Sequence, residues 1–145
     1  MSAGYSGTPL LKKLGVTAER SLLLVDAPPD VDAILGELPV EPARGLPRGA
    51  ATFDLALLFV TRRADLEKQL PRVAARLTVD GAVWVAWPKK ASRVPTDVTE
   101  DTVREVALPK ELVDTKVCAI DAVWSGLRLC LRVEARKKRS QGESR

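Results

Sequence analysis

Three short runs of this chain are apolar almost throughout. They are Ser21-Leu22-Leu23-Leu24-Val25, Phe53-Asp54-Leu55-Ala56-Leu57-Leu58-Phe59-Val60 and Ala82-Val83-Trp84-Val85-Ala86-Trp87. A strand with one face in water alternates apolar and polar residues, whereas a strand covered on both faces does not. The runs therefore predict central strands of a parallel sheet with helices on both sides. The segments between them supply the helices. Thr8-Pro9 can start a short helix with Leu10, Leu11 and Leu14 on one face, and Gly15 can end it. Asp30 can cap a second helix carrying Ile34, Leu35 and Leu38. Leu66, Leu70, Val73, Ala74 and Leu77 have the spacing of a third, and Pro71 inside it predicts a kink or a break. Val103, Val106 and Ala107 mark a fourth, from near Thr99 to just before Pro109.

The last third changes character. Lys116–Asp121 and Leu127–Val133 read as two strands joined tightly through Ala122–Gly126, an antiparallel hairpin. Leu127, Leu129, Leu131 and Val133 share one face of the second strand, while Arg128 and Arg132 share the other. A register centred on Trp124 would make Cys118 and Cys130 cross-strand neighbours, two buried thiols rather than a redox pair. The stretch from Pro39 to Gly49 reads as a loop with one short strand around Val40. The predicted fold class is α/β, a Rossmann-like, mostly parallel sheet with helices on both faces and a C-terminal antiparallel hairpin.

Composition narrows the function classes. The 145 residues are 46% hydrophobic and 29% charged, which suits one globular domain, placed here at 1–134. No apolar run approaches the ~18 residues of a membrane span. The N-terminus lacks the basic and hydrophobic regions of a secretory signal, and two cysteines make no disulfide framework, so a cytoplasmic protein is expected. The net charge of +4 is local: five of the 23 basic residues and one of the 19 acidic ones lie in residues 135–145, leaving the other 134 balanced. That segment is expected to be a disordered basic tail, the one part of the chain suited to nucleic acid. The sequence contains no histidine, which excludes Ser-His-Asp and Cys-His catalysis and histidine-ligated metals. Neither a catalytic nor a metal-binding residue is assigned.

The element order resembles the class I methyltransferase fold. The best local match is Ala75-Arg76-Leu77-Thr78-Val79-Asp80-Gly81-Ala82-Val83-Trp84-Val85, similar to the segment in which a glycine turn feeds the fifth strand of those enzymes. The likeness covers roughly the C-terminal two thirds of the chain. Two features depart from it. A dinucleotide or S-adenosylmethionine site needs a glycine-rich turn after the first strand, where backbone N–H groups meet the ligand. That turn is Val25-Asp26-Ala27-Pro28-Pro29-Asp30 here, and proline has no N–H. Only 27 positions lie between Asp26 and Asp54, too few for at least one strand–helix unit of a full methyltransferase. Glu41, after the candidate second strand, stands where a ribose-binding acid would be, although a solvated loop acid fits it as well. The expectation is a shortened methyltransferase-like fold with no cofactor. The set Gly4-Tyr5-Ser6-Gly7-Thr8-Pro9-Leu10, Lys12-Lys13-Leu14-Gly15, Trp87-Pro88-Lys89-Lys90, Thr96-Asp97, Val117-Cys118-Ala119 and Trp124-Ser125-Gly126-Leu127 also resembles an uncharacterised bacterial family of unknown function, which implies no activity.

Ligands of open parallel sheets bind outside the carboxyl ends of the strands. Tyr5, Ser6, Trp87, Lys89, Lys90, Asp121, Trp124 and Ser125 all map to that edge and are the candidate ligand-binding residues. Lys89 and Lys90 would attract an anion, the helix start at Thr96–Thr99 would offer N–H donors, and the aromatic rings would form an apolar wall. Asp121 would act as a base or orient a hydroxyl. A plainer account makes the tryptophans packing residues, the lysines solvated, and Asp121, Ser125, Thr96, Asp97 and Thr99 turn and cap residues. The expected function is a non-catalytic module binding a small anionic ligand or an acidic partner segment. The alternatives are a protein-interaction or regulatory protein without a small-molecule site and, last, an enzyme of unrecognised mechanism.

Overall fold

The computed structural model describes residues 9–143. Its centre is one six-stranded sheet, in the order β2-β1-β3-β4-β6-β5. The strands are β1 (Leu22–Val25), β2 (Ala43–Arg44), β3 (Phe53–Phe59), β4 (Leu77–Pro88), β5 (Leu112–Ala119) and β6 (Trp124–Leu131). The first four run parallel, and β6 is antiparallel to both β4 and β5. The continuous apolar runs are β1, β3 and the second half of β4, which lie next to one another and are buried on both faces.

Alternation along each strand divides the core into two layers. Leu23, Ala56, Leu58, Val83, Val85, Trp87, Leu127 and Leu129 face α3 (Arg63–Ala74) and α4 (Glu100–Ala107). Leu22, Leu24, Leu55, Leu57, Phe59, Trp84 and Trp124 face α1 (Leu10–Leu14) and α2 (Val31–Leu35). The second layer is thinly covered, because each of its helices has only five residues. Trp84 compensates. It is fully buried, and its indole N–H donates to the carbonyl of Leu14 at 2.9 Å. Gly15 then turns the chain with φ +87°, its own N–H bonding back to Leu11, as a helix-ending glycine should.

Thr99 caps α4 in a reciprocal pair with Thr102, as its position predicts. The third helix differs from expectation: α3 runs through Pro71 without a break. Proline removes only one backbone donor, in the last turn, while Leu66, Leu70, Val73 and Ala74 anchor the helix on both sides of it. Leu77 belongs to β4 and not to that helix. β4 then loops out, because Phe53 pairs Leu77 while Leu55 pairs Ala82. The glycine turn expected at Gly81 lies in this excursion. Asp54 anchors it from β3, accepting hydrogen bonds from Thr78 Oγ1 (3.1 Å) and from the Ser21 N–H (3.0 Å).

Three further expectations change. The short strand near Val40 is instead Ala43–Arg44, so Glu41 precedes β2 and Gly45 follows it. Cys118 pairs with Gly126 and Cys130 with Val113, so the thiols are not opposite each other. Asp121 sets that register by accepting the N–H groups of Val123 and Trp124, which tightens the turn before Trp124. The basic segment expected to be disordered carries α5 (Val133–Glu143). Ala135 of α5 is buried, and Arg139 donates to the carbonyls of Ala74 and Leu77 that the end of α3 leaves unpaired. Val133, expected on the inner face of the second hairpin strand, opens this helix and is half exposed.

Two substitutions test this frame by urea unfolding. Trp84→Phe should cost about 2–4 kcal/mol, combining an unsatisfied buried carbonyl with lost ring volume. Gly81→Ala should cost about 1–3 kcal/mol, because a β-carbon there would sit 3.0 Å from the backbone carbonyl oxygen of Phe53.

Candidate functional site

The chain leaves β1 to form β2 on one side and returns to form β3 on the other. Loops that diverge in this way open a crevice above the strand ends. A cleft of about 600 Å³ lies there. The β1 exit turn forms one wall, with Asp26, Pro28 and Pro29. The end of β3 and the start of α3 form the other, with Thr61, Asp65, Lys68 and Gln69. Phe59 and Trp124 supply an aromatic side, packed edge to face with ring centroids 5.1 Å apart.

The exit turn is stiff. Asp26 adopts φ +55°, an uncommon backbone conformation that aspartate tolerates better than most residues. Its carboxylate accepts a hydrogen bond from the Gln69 side-chain amide at 3.0 Å, which ties the turn to α3. Two prolines follow, and the carbonyl of Pro28 accepts the Val31 N–H at the start of α2. Polar capacity in the cleft is mixed: carboxylates at Asp26 and Asp65, an ammonium at Lys68, the Gln69 amide and the Thr61 hydroxyl.

Of the candidates from sequence, only Trp124 lines this cleft. Trp87 and Trp124 were expected to share an apolar wall, but they lie on opposite faces of the sheet. Trp87 packs in the α3 and α4 layer, and Trp124 in the other. The reason is the β4–β6 register, in which Trp87 opposes Ser125 while Trp124 opposes Pro88. Ser125 is thus a ladder residue paired with Trp87 and Ala119. Lys89 is not solvated. Its ammonium donates to the Asp121 carbonyl at 2.7 Å, and its N–H donates to Val123. The Asp121 carboxylate, expected as a base, accepts the N–H groups of Val123 (2.9 Å) and Trp124 (2.7 Å). Lys89 and Asp121 together close the hairpin tip onto β4 and hold Trp124 against Phe59. Lys90 is exposed at the start of a single 3₁₀ turn. Tyr5 and Ser6 lie outside the described residues.

The strap before α4 is also occupied. Thr96 donates to the Thr61 carbonyl at 2.7 Å and accepts the Val98 N–H. Asp97 accepts the Arg63 N–H at 2.7 Å, capping α3 from a distant loop. Thr99 and Thr102 satisfy each other, so the donors expected for an anion serve the fold. The Arg63 guanidinium bridges Glu67 and Glu105, whose hydrogen bonds raise its already high pKa. Among the described residues, no cluster of three His, Cys, Asp or Glu side chains could hold a metal ion. No helix of the described residues is long and apolar enough to cross a membrane.

The strand order and the hairpin decide the relationship. The fold is methyltransferase-like. CcbJ methyltransferase from Streptomyces caelestis is similar to this chain, with a TM-score of 0.58 and 8% identity over 85% of this chain and 93% of that one. An S-adenosylmethionine-dependent methyltransferase from Clostridium acetobutylicum has a TM-score of 0.56 and 10% identity, covering 84% and 87%. A pericyclic reaction enzyme has a TM-score of 0.54 and 13% identity over 86% of this chain, which spans only 47% of that enzyme's length. No protein-family model and no curated protein matches the sequence.

The residues at the switch point do not fit the cofactor such a fold implies. The turn after β1 presents proline rings where a nucleotide site presents N–H groups. Gly45, not an acid, follows β2. Asp26, Asp65, Lys68 and Gln69 were not among the residues selected from sequence. The signal available was Asp26 beside two prolines at a strand exit. Nothing in the sequence showed that α3 would bring Gln69 to it.

The hairpin closure can be tested by thermal and urea unfolding. Asp121→Ala should lose about 1–3 kcal/mol, because two turn N–H groups lose their acceptor. Lys89→Ala should lose about 1–2 kcal/mol, while Lys90→Ala should stay within ~0.5 kcal/mol of the parent.

Proposed function

We propose that this chain is a non-catalytic, cytoplasmic binding module from an uncharacterised bacterial family. Its ligand is a small anion with an apolar, ring-sized body, held in the cleft at the carboxyl edge of the sheet. The observation that carries this reading is the cleft itself. It stands at the topological switch point, where open α/β sheets hold ligands, and has an aromatic pair on one side. Lys68 is the cation in the cleft and would receive the anionic group. Asp65 and Asp26 would accept hydrogen bonds from hydroxyl or amino groups of the same molecule. The shape suits a planar body against Phe59, Trp124 and Pro28. This places the anion at Lys68 and leaves Lys89 and Lys90 out of the contact.

A second reading, methyl transfer, draws on the S-adenosylmethionine-dependent enzymes of similar fold. The proline turn argues against it. A third, a protein-interaction role, draws on β5, an edge strand whose Val117 is 52% exposed.

Thermal unfolding with defined probes separates the three. Millimolar adenosine monophosphate, an anion with an aromatic body, should raise the melting temperature, since binding to the folded state stabilises it by RT ln(1 + [L]/Kd). Lys68→Ala should remove most of that rise without changing the melting temperature of the unliganded protein by more than about 2 °C. S-adenosylmethionine should give no rise. A rise with S-adenosylmethionine that survives Lys68→Ala would favour the enzyme. No rise with either probe would favour the interaction role.

A further inference from the structure

Helix α1 covers only part of the sheet face on which it lies. It ends at Leu14, held there by the Trp84 indole. Farther towards the sheet edge, the same face of β6 and β5 presents Gly126 and Cys118, which oppose each other in the ladder. A groove of about 480 Å³ opens between α1 and β5. Trp84, Val117 and Cys118 line its apolar part, and Lys12, Lys13 and Lys116 its polar part; no acidic residue lines it. It is separate from the switch-point cleft, sharing no lining residue with it.

The three lysines have no role in holding the fold. The ion pairs among the described residues involve none of them. The carbonyls at the end of α1 do not need them as caps, because Gly15 takes those of Leu11 and Lys12 and the indole takes that of Leu14. A lysine on β5 can protect an edge strand from pairing with another chain. That explains Lys116 alone, not its meeting with Lys12 and Lys13. Like charges around one groove repel unless an anion sits among them. Both Lys13 and Lys116 act electrostatically on the Cys118 thiol, so their ammonium groups flank the same spot. Burial outweighs them and pushes that thiol up from its ordinary range.

We infer that this groove is a second ligand site, for a small amphipathic anion. Lys12, Lys13 and Lys116 receive its carboxylate or phosphate group, and Trp84, Val117 and Cys118 receive its apolar body. The class follows from charge complementarity together with the apolar lining. A fully hydrated inorganic ion would leave the indole and the valine uncovered, and a neutral apolar molecule would leave the lysines unmatched.

Cys118 provides a reporter that leaves the switch-point cleft untouched. Octanoate is the probe, and octylammonium is the control of equal length and opposite charge. Alkylation by iodoacetamide, a neutral reagent, is followed by peptide mass spectrometry so that Cys118 and Cys130 are counted separately. Octanoate should slow alkylation of Cys118 saturably, and octylammonium should not. Replacing Lys12, Lys13 and Lys116 together with glutamine should weaken octanoate protection about tenfold or more. Lys116→Gln alone, a surface change on an edge strand, should weaken it about threefold and serves if the triple variant is unstable. Equal protection by octylammonium, absence of protection by octanoate, or undiminished protection in Lys116→Gln and in the triple variant would each overturn the assignment. Failure of adenosine monophosphate to bind in the other cleft would leave this result unaffected, because the two sites share no residue.

Discussion

One hydrogen bond organises the thinner half of this protein. The Trp84 indole donates to the Leu14 carbonyl at 2.9 Å from the middle of the sheet. A five-residue helix has little intrinsic stability in water and must be fixed by tertiary contact. Trp84 provides both the apolar surface and the polar anchor. Gly126 lies directly beneath it: a β-carbon at that position would fall 3.1 Å from Cε3 of the Trp84 ring and 3.0 Å from Ile120. The tryptophan, the absent side chain opposite it and the helix end therefore form one packing unit. The groove beside Cys118 exists because that unit ends where it does.

The carboxyl edge follows a different logic. Its polar side chains are mostly used to close loops rather than left available. Lys89 and Asp121 seal the hairpin tip, Thr96 and Asp97 strap the loop before α4 to Thr61 and α3, and Thr99 caps its own helix. Buried polar groups that lacked such partners would each cost free energy, so the edge is built from satisfied pairs. What remains open is the crevice where the chain changes direction between β1 and β3. There the positive φ of Asp26 and the two prolines fix a wall that no helix covers. Lys89 and Asp121 still matter to that crevice, because they position Trp124 along its side.

Much of this was legible in the chain itself. Continuous apolar runs marked β1, β3 and β4, because only strands covered on both faces can dispense with polar residues. Thr99, Gly15 and the alternation of Leu127, Leu129 and Leu131 gave local instructions that the structure follows. The proline turn after β1 already argued against a nucleotide site. The misreadings share a cause. Pro71 looked like a break, but four buried neighbours outweigh one missing donor. The residues of 135–145 looked too polar to fold, yet Ala135 and the reach of Arg139 to two vacant carbonyls hold them in α5. Trp87 and Trp124 map to one edge in sequence and separate onto two faces in space.

The sequence by itself determined which segments are strands, their burial on both faces and the absence of the backbone donors a nucleotide would need. Periodicity and residue chemistry are local properties and survive without coordinates. Only the tertiary structure decided the register of the hairpin, and with it which side of the sheet each tryptophan faces. A shift of one residue inverts every side chain on a strand, and the carboxylate of Asp121 selects between the alternatives. Likewise, only folding could bring Gln69 to Asp26, or Lys116 to Lys12 and Lys13. Those meetings depend on how a helix lies across the sheet, and nothing in the spacing of the residues encodes it.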